Sequence, residues 1–345
     1  MPGERMAMKL ATLALQGGGT HGAFTWGVLD RLLEDERIEI EGISGASAGA
    51  INAVLIAHGL TAGGREGARG ALQAFWRGVA SSPPLGLASA HWPEPPALSA
   101  HSPDPAIKGY VFLARFLSPY QLNPFNLNPL RDLLAAQVDF ERIRSDCDIK
   151  LFIAATKVAT GRLRLFSTRE LTLEALLASA CIPSLSHPVE IDGEAYWDGG
   201  LTANPPLRPL LYECEARDIL VVLLHPLHRP EVPATAEEIT HRLTEISFGS
   251  ALSGELQGIA LAKREAESAL FSLGRLERRL RRLNLHMIDA QDVMSRLNVM
   301  SRFTTHRAFI EGLRDEGRSR ADAWLKQNFR HIGSRSSLVL DEHLY

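Results

Sequence analysis

The feature that most constrains the fold is a turn of small residues around Ser47, set between an apolar alternation and an apolar run. The alternation at 38–41 predicts a strand, and the run at 50–57 predicts a buried helix. Between them, Gly45-x-Ser47-x-Gly49 has the spacing of a nucleophile elbow, a sharp turn that presents a serine at the end of a strand. A second interpretation stays open, in which Ser47 only caps the helix that follows.

A second glycine-rich turn follows the first predicted strand, at 10–16. It reads Gly17-Gly18-Gly19-Thr20-His21-Gly22 and leads into a predicted helix at 23–33. Strand and helix thus alternate twice over residues 10–57, which indicates an α/β fold with a parallel sheet. Because the carboxyl ends of parallel strands lie at the same edge of a sheet, we expect the two turns to be neighbours.

The turn at 17–22 has three interpretations. Gly17-x-Gly19-x-x-Gly22, followed by Glu39 or Glu41 about 20 residues on, fits the fingerprint of a nucleotide-binding oxidoreductase. Alternatively, contiguous glycine amides form an oxyanion hole beside the serine, as acyl transfer requires. The third interpretation is a turn kept only for close packing. Two glycine turns at adjacent strand ends favour the oxyanion hole, and the absence of Gly-Lys-Ser/Thr excludes a P-loop.

The rest of the chain continues the α/β pattern and then becomes mostly helical. Apolar alternation predicts strands at 150–156, 162–166, 219–224 and 284–288, and a hairpin at 189–196 that turns at Asp192-Gly193. Helical periodicity predicts helices at 64–80, 130–136, 172–180, 234–270 and 273–283, and a last one at 303–329 that is interrupted near Gly317.

Residues 81–129 break this rhythm, because they hold ten of the 19 prolines and few charges. Aromatic residues are interleaved with the prolines: Trp92, Tyr110, Phe112, Phe116, Tyr120 and Phe125. A long irregular stretch inside a compact domain is often functional. The segment is either a lid or one wall of an apolar acyl channel, or else a loop that packs its own aromatic side chains.

The composition, 45% hydrophobic and 22% charged over 345 residues, is that of an ordinary globular enzyme. The net charge of −3 does not suggest a partner of nucleic acid. Residues 260–335 are nevertheless basic, with 16 Lys or Arg against 9 Asp or Glu. The three cysteines, Cys147, Cys181 and Cys214, are widely spaced without a CxxC pair, which argues against a disulfide scaffold or a zinc site. They suit a reducing, cytoplasmic location.

Two features bear on membranes. No apolar run is long enough for a secretory signal or a spanning helix, since the longest aliphatic run, 219–224, has six residues. Peripheral contact is a separate question, because a leucine stripe in the basic C-terminal region is surrounded by arginines. The stripe consists of Leu273, Leu276, Leu280 and Leu283, and the arginines are Arg275, Arg278, Arg279, Arg281 and Arg282. The alternative is an ordinary helix with its leucines in the core and its arginines solvated.

Together with Asp198-Gly199-Gly200, the two glycine turns resemble the motifs of the patatin-like phospholipases. That family has GGGxRG, GxSxG and DG[AG] in this order and at similar spacing. The stretch at 178–183, Ala-Ser-Ala-Cys-Ile-Pro, also resembles the segment that precedes the family's aspartate. The resemblance extends from about residue 11 to about residue 211.

The resemblance implies a three-layer α/β/α fold with a mainly parallel central sheet, lipid acyl esters as substrates, and neither a cofactor nor a metal. By position, it makes Ser47 the nucleophile and Asp198 the base of a Ser–Asp dyad. The oxyanion hole is then formed by Gly17, Gly18 and Gly19. The motif-supporting glycines are Gly22, Gly45, Gly49, Gly199 and Gly200. One departure is His21, which stands where the family commonly has arginine or lysine, and this puts in doubt the help of a fixed cation.

We therefore predict a catalytic domain at 10–211, with 81–129 as its lid, and a mostly helical C-terminal extension at 212–345 that packs on it. The predicted protein is a cytoplasmic serine acyl hydrolase of phospholipids or related lipids, and peripheral membrane contact through the basic C-terminal region is an open alternative. Three alternatives remain. One is a Ser–Asp–His hydrolase with His225, which ends a predicted strand. The others are a nucleotide-binding oxidoreductase and a lipid-binding module without catalysis.

Overall fold

A mixed, mainly parallel sheet forms the centre of the molecule. The computed structural model describes residues 8–81, 98, 105–227, 229, 232–269, 274–297 and 299–339. Its strands are β1 (Lys9–Leu15), β2 (Ile38–Gly45), β3 (Lys150–Lys157), β4 (Arg162–Ser167), β5 (Val189–Ile191), β6 (Glu194–Asp198), β7 (Asp218–Val222) and β8 (Asn284–Ile288). They are ordered β5-β6-β3-β2-β1-β7-β8, with β4 also paired to β3. The run β3-β2-β1-β7-β8 is parallel.

Helices cover both faces of this sheet. They are α1 (Gly22–Asp35), α2 (Ala48–Ser81), α3 (Pro105–Leu113), α4 (Pro119–Leu122), α5 (Pro129–Gln137), α6 (Phe140–Asp146), α7 (Leu173–Ser179), α8 (Arg208–Glu213), α9 (Ala236–Ser268), α10 (Arg275–Arg282), α11 (Gln291–Met294) and α12 (Arg307–Asn328). Alternate residues of the central strands point to opposite faces, which is why those strands are apolar on both sides. In β1, Leu13 and Leu15 pack in one core cluster, whereas Ala14 packs in the other.

The two core clusters lie on opposite faces of the sheet. The first cluster holds side chains of α1, α2, α7 and α12, and the second holds side chains of α8, α9 and α10. The sheet and the two sets of helices therefore form three layers. The predicted α/β/α fold with a mainly parallel sheet is thus confirmed.

The helices predicted at 50–57 and 64–80 both form, because the range of α2 consists of two helical stretches separated by non-helical backbone at Gly63 and Gly64. One helix prediction needs correction. The last helix, α12, runs through Gly317 without interruption. Gly317 is there for a different reason: its α-carbon packs against the backbone of Phe24 in α1, where a Cβ would overlap the carbonyl oxygen.

Residues beyond 211 contribute β7 and β8 to the same sheet, and α12 packs on α1. The boundary at 211/212 stays a prediction. So does the lid, of which residues 82–97 and 99–104, with Trp92, lie outside the described residues. Among the helices that the structure describes, none combines the length and apolar character needed to cross a membrane.

Candidate active site

The turn after β2 has the geometry of an elbow. Ser47 has φ of 53°, a left-handed conformation that is unfavourable for a serine and is held by its surroundings. A Cβ at Gly45 would lie 2.7 Å from the Ala50 amide, so a larger residue there would force the turn open. The Ser47 amide donates to the backbone oxygen and to Oγ of Ser179, each at 3.1 Å. Ser47 therefore sits at the N-terminus of α2 with its side chain partly exposed.

Strand β3 explains how Ser47 comes to lie beside Asp198. β2 pairs with β3 as far as Gly45 opposite Ile153, and β6 pairs with β3 from Ala155, opposite Asp198. β4 occupies the other edge of β3 across both stretches. β2 and β6 therefore follow one another along the same edge of β3, and the elbow after β2 meets the end of β6.

The Asp198 carboxyl is almost completely buried, at 1% exposure. Its Oδ1 accepts the Gly200 amide at 2.7 Å, whereas Oδ2 makes no well-formed hydrogen bond with the described residues. Burial raises the pKa of Asp198 to about 7, against the smaller opposing effects of the Gly200 amide and the nearby Ser47 hydroxyl. The following 3-10 turn holds Gly199 and Gly200, and a Cβ at Gly200 would lie 2.6 Å from the Phe248 ring.

The glycine turn after β1 lies against the elbow, since a Cβ at Gly17 would lie 2.7 Å from that of Ser47. The Gly17 amide donates to Asn204 Oδ1 at 2.7 Å and is therefore already engaged. In the described part of the chain, the amides of Gly18 and Gly19 are without a protein acceptor. These two amides are thus the donors that the turn leaves available, and Gly22 begins α1 behind them.

The sequence analysis assigned no role to three residues that support the site. Gln16 Oε1 accepts the amides of Leu224 and His225 at 2.7 and 2.8 Å, which fixes the end of β1 to the end of β7. Asn204 holds the Gly17 amide, and Ser179 holds the Ser47 amide. Their partners lie more than a hundred residues away in the chain, so no local pattern predicts these contacts, although Ser179 belongs to the stretch at 178–183 that resembles a family motif.

His21 is a buried, neutral histidine. Its Nε2 lies 2.7 Å from Ser301 Oγ, and burial, with the charges of His225 and Arg302, lowers its pKa to about 3. Arg302 belongs to a 3-10 turn, Val299–Phe303, that packs on the glycine turn. A Cβ at Gly19 would lie 2.5 Å from the Arg302 carbonyl oxygen.

His225 also lies at the glycine turn. Its Nε2 is 3.5 Å from where a Cβ of Gly18 would be, and burial lowers its pKa to about 4. Within the described residues, no hydrogen bond joins His225 to Ser47 or Asp198.

A cavity of about 640 Å³ opens beside Ser47. Its walls are largely apolar, with side chains from α2, α5, α7 and the segment at 182–190. Tyr120 and Leu127 form a further wall, so part of the proline-rich segment borders the site. A pocket of this size and polarity accommodates an apolar chain.

The acidic residues required by the nucleotide-binding interpretation lie elsewhere. Glu41 accepts from Lys150 Nζ at 2.8 Å and from the Glu215 and Ala216 amides at 2.7 and 2.6 Å. These contacts join the middle of β2 to the first residue of β3 and to the loop before β7, away from the glycine turn. Glu39 is exposed.

Comparisons with known proteins identify the family. The model of the patatin-like phospholipase family matches residues 13–211, and a comparison with curated proteins gave no match. Among solved structures, the chain is similar at 15% identity to VipD from Legionella pneumophila, with a TM-score of 0.40 and coverage of 91% of this chain and 67% of that one. It is also similar to a chain from the complex of SpcU with ExoU of the Pseudomonas aeruginosa type III secretion system. There the identity is 15%, the TM-score 0.29, and the coverage 80% of this chain and 68% of that one. The family match covers more than half of the chain and includes both glycine turns and Asp198, so this protein belongs to the patatin-like phospholipase family of lipid hydrolases.

Proposed function

We propose that this protein hydrolyses acyl esters of phospholipids, lysophospholipids or related lipids through a dyad of Ser47 and Asp198. The observation that carries the proposal is the pairing itself: a serine in a strained elbow lines an apolar cavity and lies close to the buried carboxyl group of Asp198. Strained backbone and a perturbed carboxyl pKa at one point are typical of catalytic sites.

In the proposed reaction, Ser47 Oγ attacks the ester carbonyl carbon while Asp198 accepts the serine proton. The Gly18 and Gly19 amides stabilise the resulting oxyanion, and Gly17 holds the turn through Asn204. Collapse of this intermediate breaks the ester bond, and the leaving alcohol takes the proton from Asp198. A water molecule, deprotonated by Asp198, then hydrolyses the acyl-serine.

The raised pKa of Asp198 suits this role. A general base is most effective when its pKa is near the working pH, and a carboxyl with a pKa of about 7 is partly ionised there. The expected rate therefore rises with pH through about 7. This pH range overlaps the range in which the pKa of histidine ordinarily lies, so a pH profile alone does not distinguish a carboxylate base from an imidazole.

Arg302 is our candidate for the positive charge that His21 does not supply. Its guanidinium acts on both His21 and His225, lowering the pKa of each; His21 belongs to the glycine turn and His225 lies beside Gly18. A buried cation near the turn favours negative charge on a bound oxyanion, and the same guanidinium also interacts with Glu245. We propose that it is a positioning residue, since its contact is with the turn that carries the donors.

The decisive experiment measures turnover of a short p-nitrophenyl ester and of phospholipid by Ser47→Ala, Asp198→Asn and His225→Ala. We expect the first two to be inactive and folded, and His225→Ala to keep most activity. His187→Ala should do the same, since His187 Nε2 contacts the Pro119 carbonyl at 3.2 Å; His228, for which we expect the same, lies outside the described residues.

The opposite results would reject the proposal. Unchanged turnover by Ser47→Ala would end the hydrolase assignment at this site. A folded His225→Ala as inactive as Ser47→Ala would instead make the protein a Ser–Asp–His hydrolase.

A further inference from the structure

Exposed apolar side chains cover α3, α4 and the loop that follows. Phe116 is 74% exposed and Phe125 is 84% exposed, although proteins usually bury such side chains. We call the following seven residues the aromatic rim: Phe112, Leu113, Phe116, Leu117, Tyr120, Phe125 and Leu127. An exposed apolar patch of this size marks an interaction surface.

The aromatic rim is continuous with the cavity beside Ser47. Tyr120 and Leu127 belong to the rim and also line the cavity. The Tyr120 ring lies 4.2 Å from that of His187, another lining residue, and His187 contacts the Pro119 carbonyl. If a lipid surface contacts the rim, an acyl chain that leaves this surface can therefore pass along the rim into the cavity beside Ser47.

The charges beside the rim suit phospholipid. Between residues 105 and 131 the sequence has Lys108, Arg115 and Arg131 but no aspartate or glutamate. All three basic residues are exposed, and Arg131 is ion-paired with Glu174 at 3.2 Å, so Lys108 and Arg115 supply most of the positive charge beside the rim. Aromatic side chains with interspersed cations are the combination that binds at the boundary between acyl chains and phosphate head groups.

The Arg-rich helix α10 is at the other edge of the sheet. It leads directly into the amino end of β8, and Arg279 donates to the Cys214 carbonyl near the amino end of β7. Leu280 and Leu283 are in the core, whereas Leu276 is 40% exposed and Leu273 lies outside the described residues. Strands of five to eight residues separate the two edges by roughly 17–26 Å. A membrane bound at α10 would thus be remote from Ser47.

We propose that the aromatic rim inserts into the surface of a phospholipid bilayer, so that the opening of the Ser47 cavity lies against the lipid. The inference rests on the proposed function for its catalytic consequence, whereas binding to the bilayer is independent of catalysis. It places the membrane contact at α3 and α4 in preference to the basic C-terminal region.

The binding experiment uses Ser47→Ala protein, so that vesicles stay intact. Flotation with vesicles of phosphatidylcholine and phosphatidylglycerol is compared between this protein and the same protein carrying Phe116→Ser and Phe125→Ser. Both phenylalanines are exposed and neither lines the cavity, so folding and the site should be preserved. We expect vesicle affinity to fall by roughly tenfold or more, from the apolar area that no longer inserts.

Two matched controls lie at the other edge of the sheet. Tyr212→Ser with Leu276→Ser removes two side chains that are 51% and 40% exposed, and should leave vesicle affinity unchanged. Arg275→Gln with Arg278→Gln tests the basic helix directly. Loss of binding in the arginine variant, with the rim variant unaffected, would overturn the proposal in favour of α10.

A catalytic comparison separates this inference from the proposed function. With Ser47 present, the rim variant should hydrolyse vesicle phospholipid much more slowly than wild type but keep its rate on a short, soluble p-nitrophenyl ester. If wild type hydrolyses neither substrate and yet binds vesicles through the rim, the proposed function is wrong and the proposed membrane contact is supported. If wild type does not bind vesicles, or if the rim variant binds them as tightly as wild type, the rim proposal fails.

Discussion

Two aspartates are buried at opposite edges of the sheet, and their hydrogen-bond partners differ. Asp218, 2% exposed, begins β7 at the amino edge, and its Oδ1 accepts from His286 Nε2 at 2.9 Å, Asn284 Nδ2 at 3.1 Å and the Gly333 amide at 2.8 Å. Asp198, 1% exposed, lies at the carboxyl edge with the Gly200 amide as its one well-formed hydrogen-bond donor among the described residues.

The difference separates a carboxyl group with structural partners from the one that we propose is reactive. The donors around Asp218 join β8 and the segment after α12 to the sheet, so its burial is compensated by hydrogen bonds. Asp198 lacks such compensation, and this is why burial dominates its pKa. A buried carboxyl with few donors retains the affinity for a proton that a general base needs.

The largest expected effect tests this contrast directly. Asp198→Asn should lower kcat for a p-nitrophenyl ester by about 10³–10⁴-fold, because an amide cannot accept the serine proton. Asp218→Asn, at a temperature where it is folded, should stay within about threefold of wild type, since the site is at the other edge of the sheet. An equally inactive, folded Asp218→Asn would break the comparison.

The next effect concerns the amides at the carboxyl edge. From the motif alone we expect Gly18→Ala to disturb the oxyanion hole, but a Cβ there would face Leu224 Cδ1 at 3.0 Å, away from Ser47. Gly19 has φ of 62° and contacts the Arg302 carbonyl, so alanine is strained there. Gly19→Ala should therefore cost about 10²–10³-fold in kcat and Gly18→Ala less than about tenfold. Circular dichroism of both variants checks the fold, and equal losses would contradict this ranking.

The sequence predicts those parts of the site that depend on local patterns. Glycines in tight turns and the serine between them are set by backbone geometry over a few residues, so Gly45, Ser47 and Gly49 were identifiable. The contacts of Asn204 and Gln16 depend on how distant strands pair, and the pKa of Asp198 depends on its burial. Neither is a local property.

Helix α12 shows the same limit for the fold. By propensity, a glycine near the middle of a helix indicates a break. Gly317 instead permits α12 to approach α1 closely, which is a requirement of tertiary packing. The strands were predicted more successfully, because an apolar run or an apolar–polar alternation is a pattern of a few neighbouring residues.

A smaller effect is expected at Arg302. Arg302→Met should lower kcat about tenfold, because a positive charge near the glycine turn is removed. Arg302→Lys should recover part of that loss. Without the cation the pKa values of His21 and His225 should rise, which NMR titration of the imidazoles measures. Equal losses in the lysine and methionine variants, with both pKa values unchanged, would assign Arg302 a packing role only.

The smallest effect, and the sharpest test of the contrast between the two aspartates, is on stability. The pKa of Asp198 is about 7 in the folded protein, whereas that of a solvated aspartate in an unfolded chain is 3.8, so folding favours the protonated form. Its contribution is fully present below pH 3.8 and is lost as pH rises towards 7. Asp198→Asn removes a carboxylate that is buried at a cost, so its Tm should exceed that of wild type above pH 7.

That difference should shrink as pH falls and vanish near pH 4, where the native carboxyl is also neutral. Asp218→Asn should instead lower Tm by a few degrees, about 2–4 °C for each kcal/mol lost, because three donors lose a charged acceptor. Thermal unfolding of the two variants between pH 4 and pH 8 measures both. Destabilisation by Asp198→Asn at pH 8 would show that favourable contacts offset the cost of burying the Asp198 carboxylate. The proposed difference between Asp198 and Asp218 would then have no physical basis.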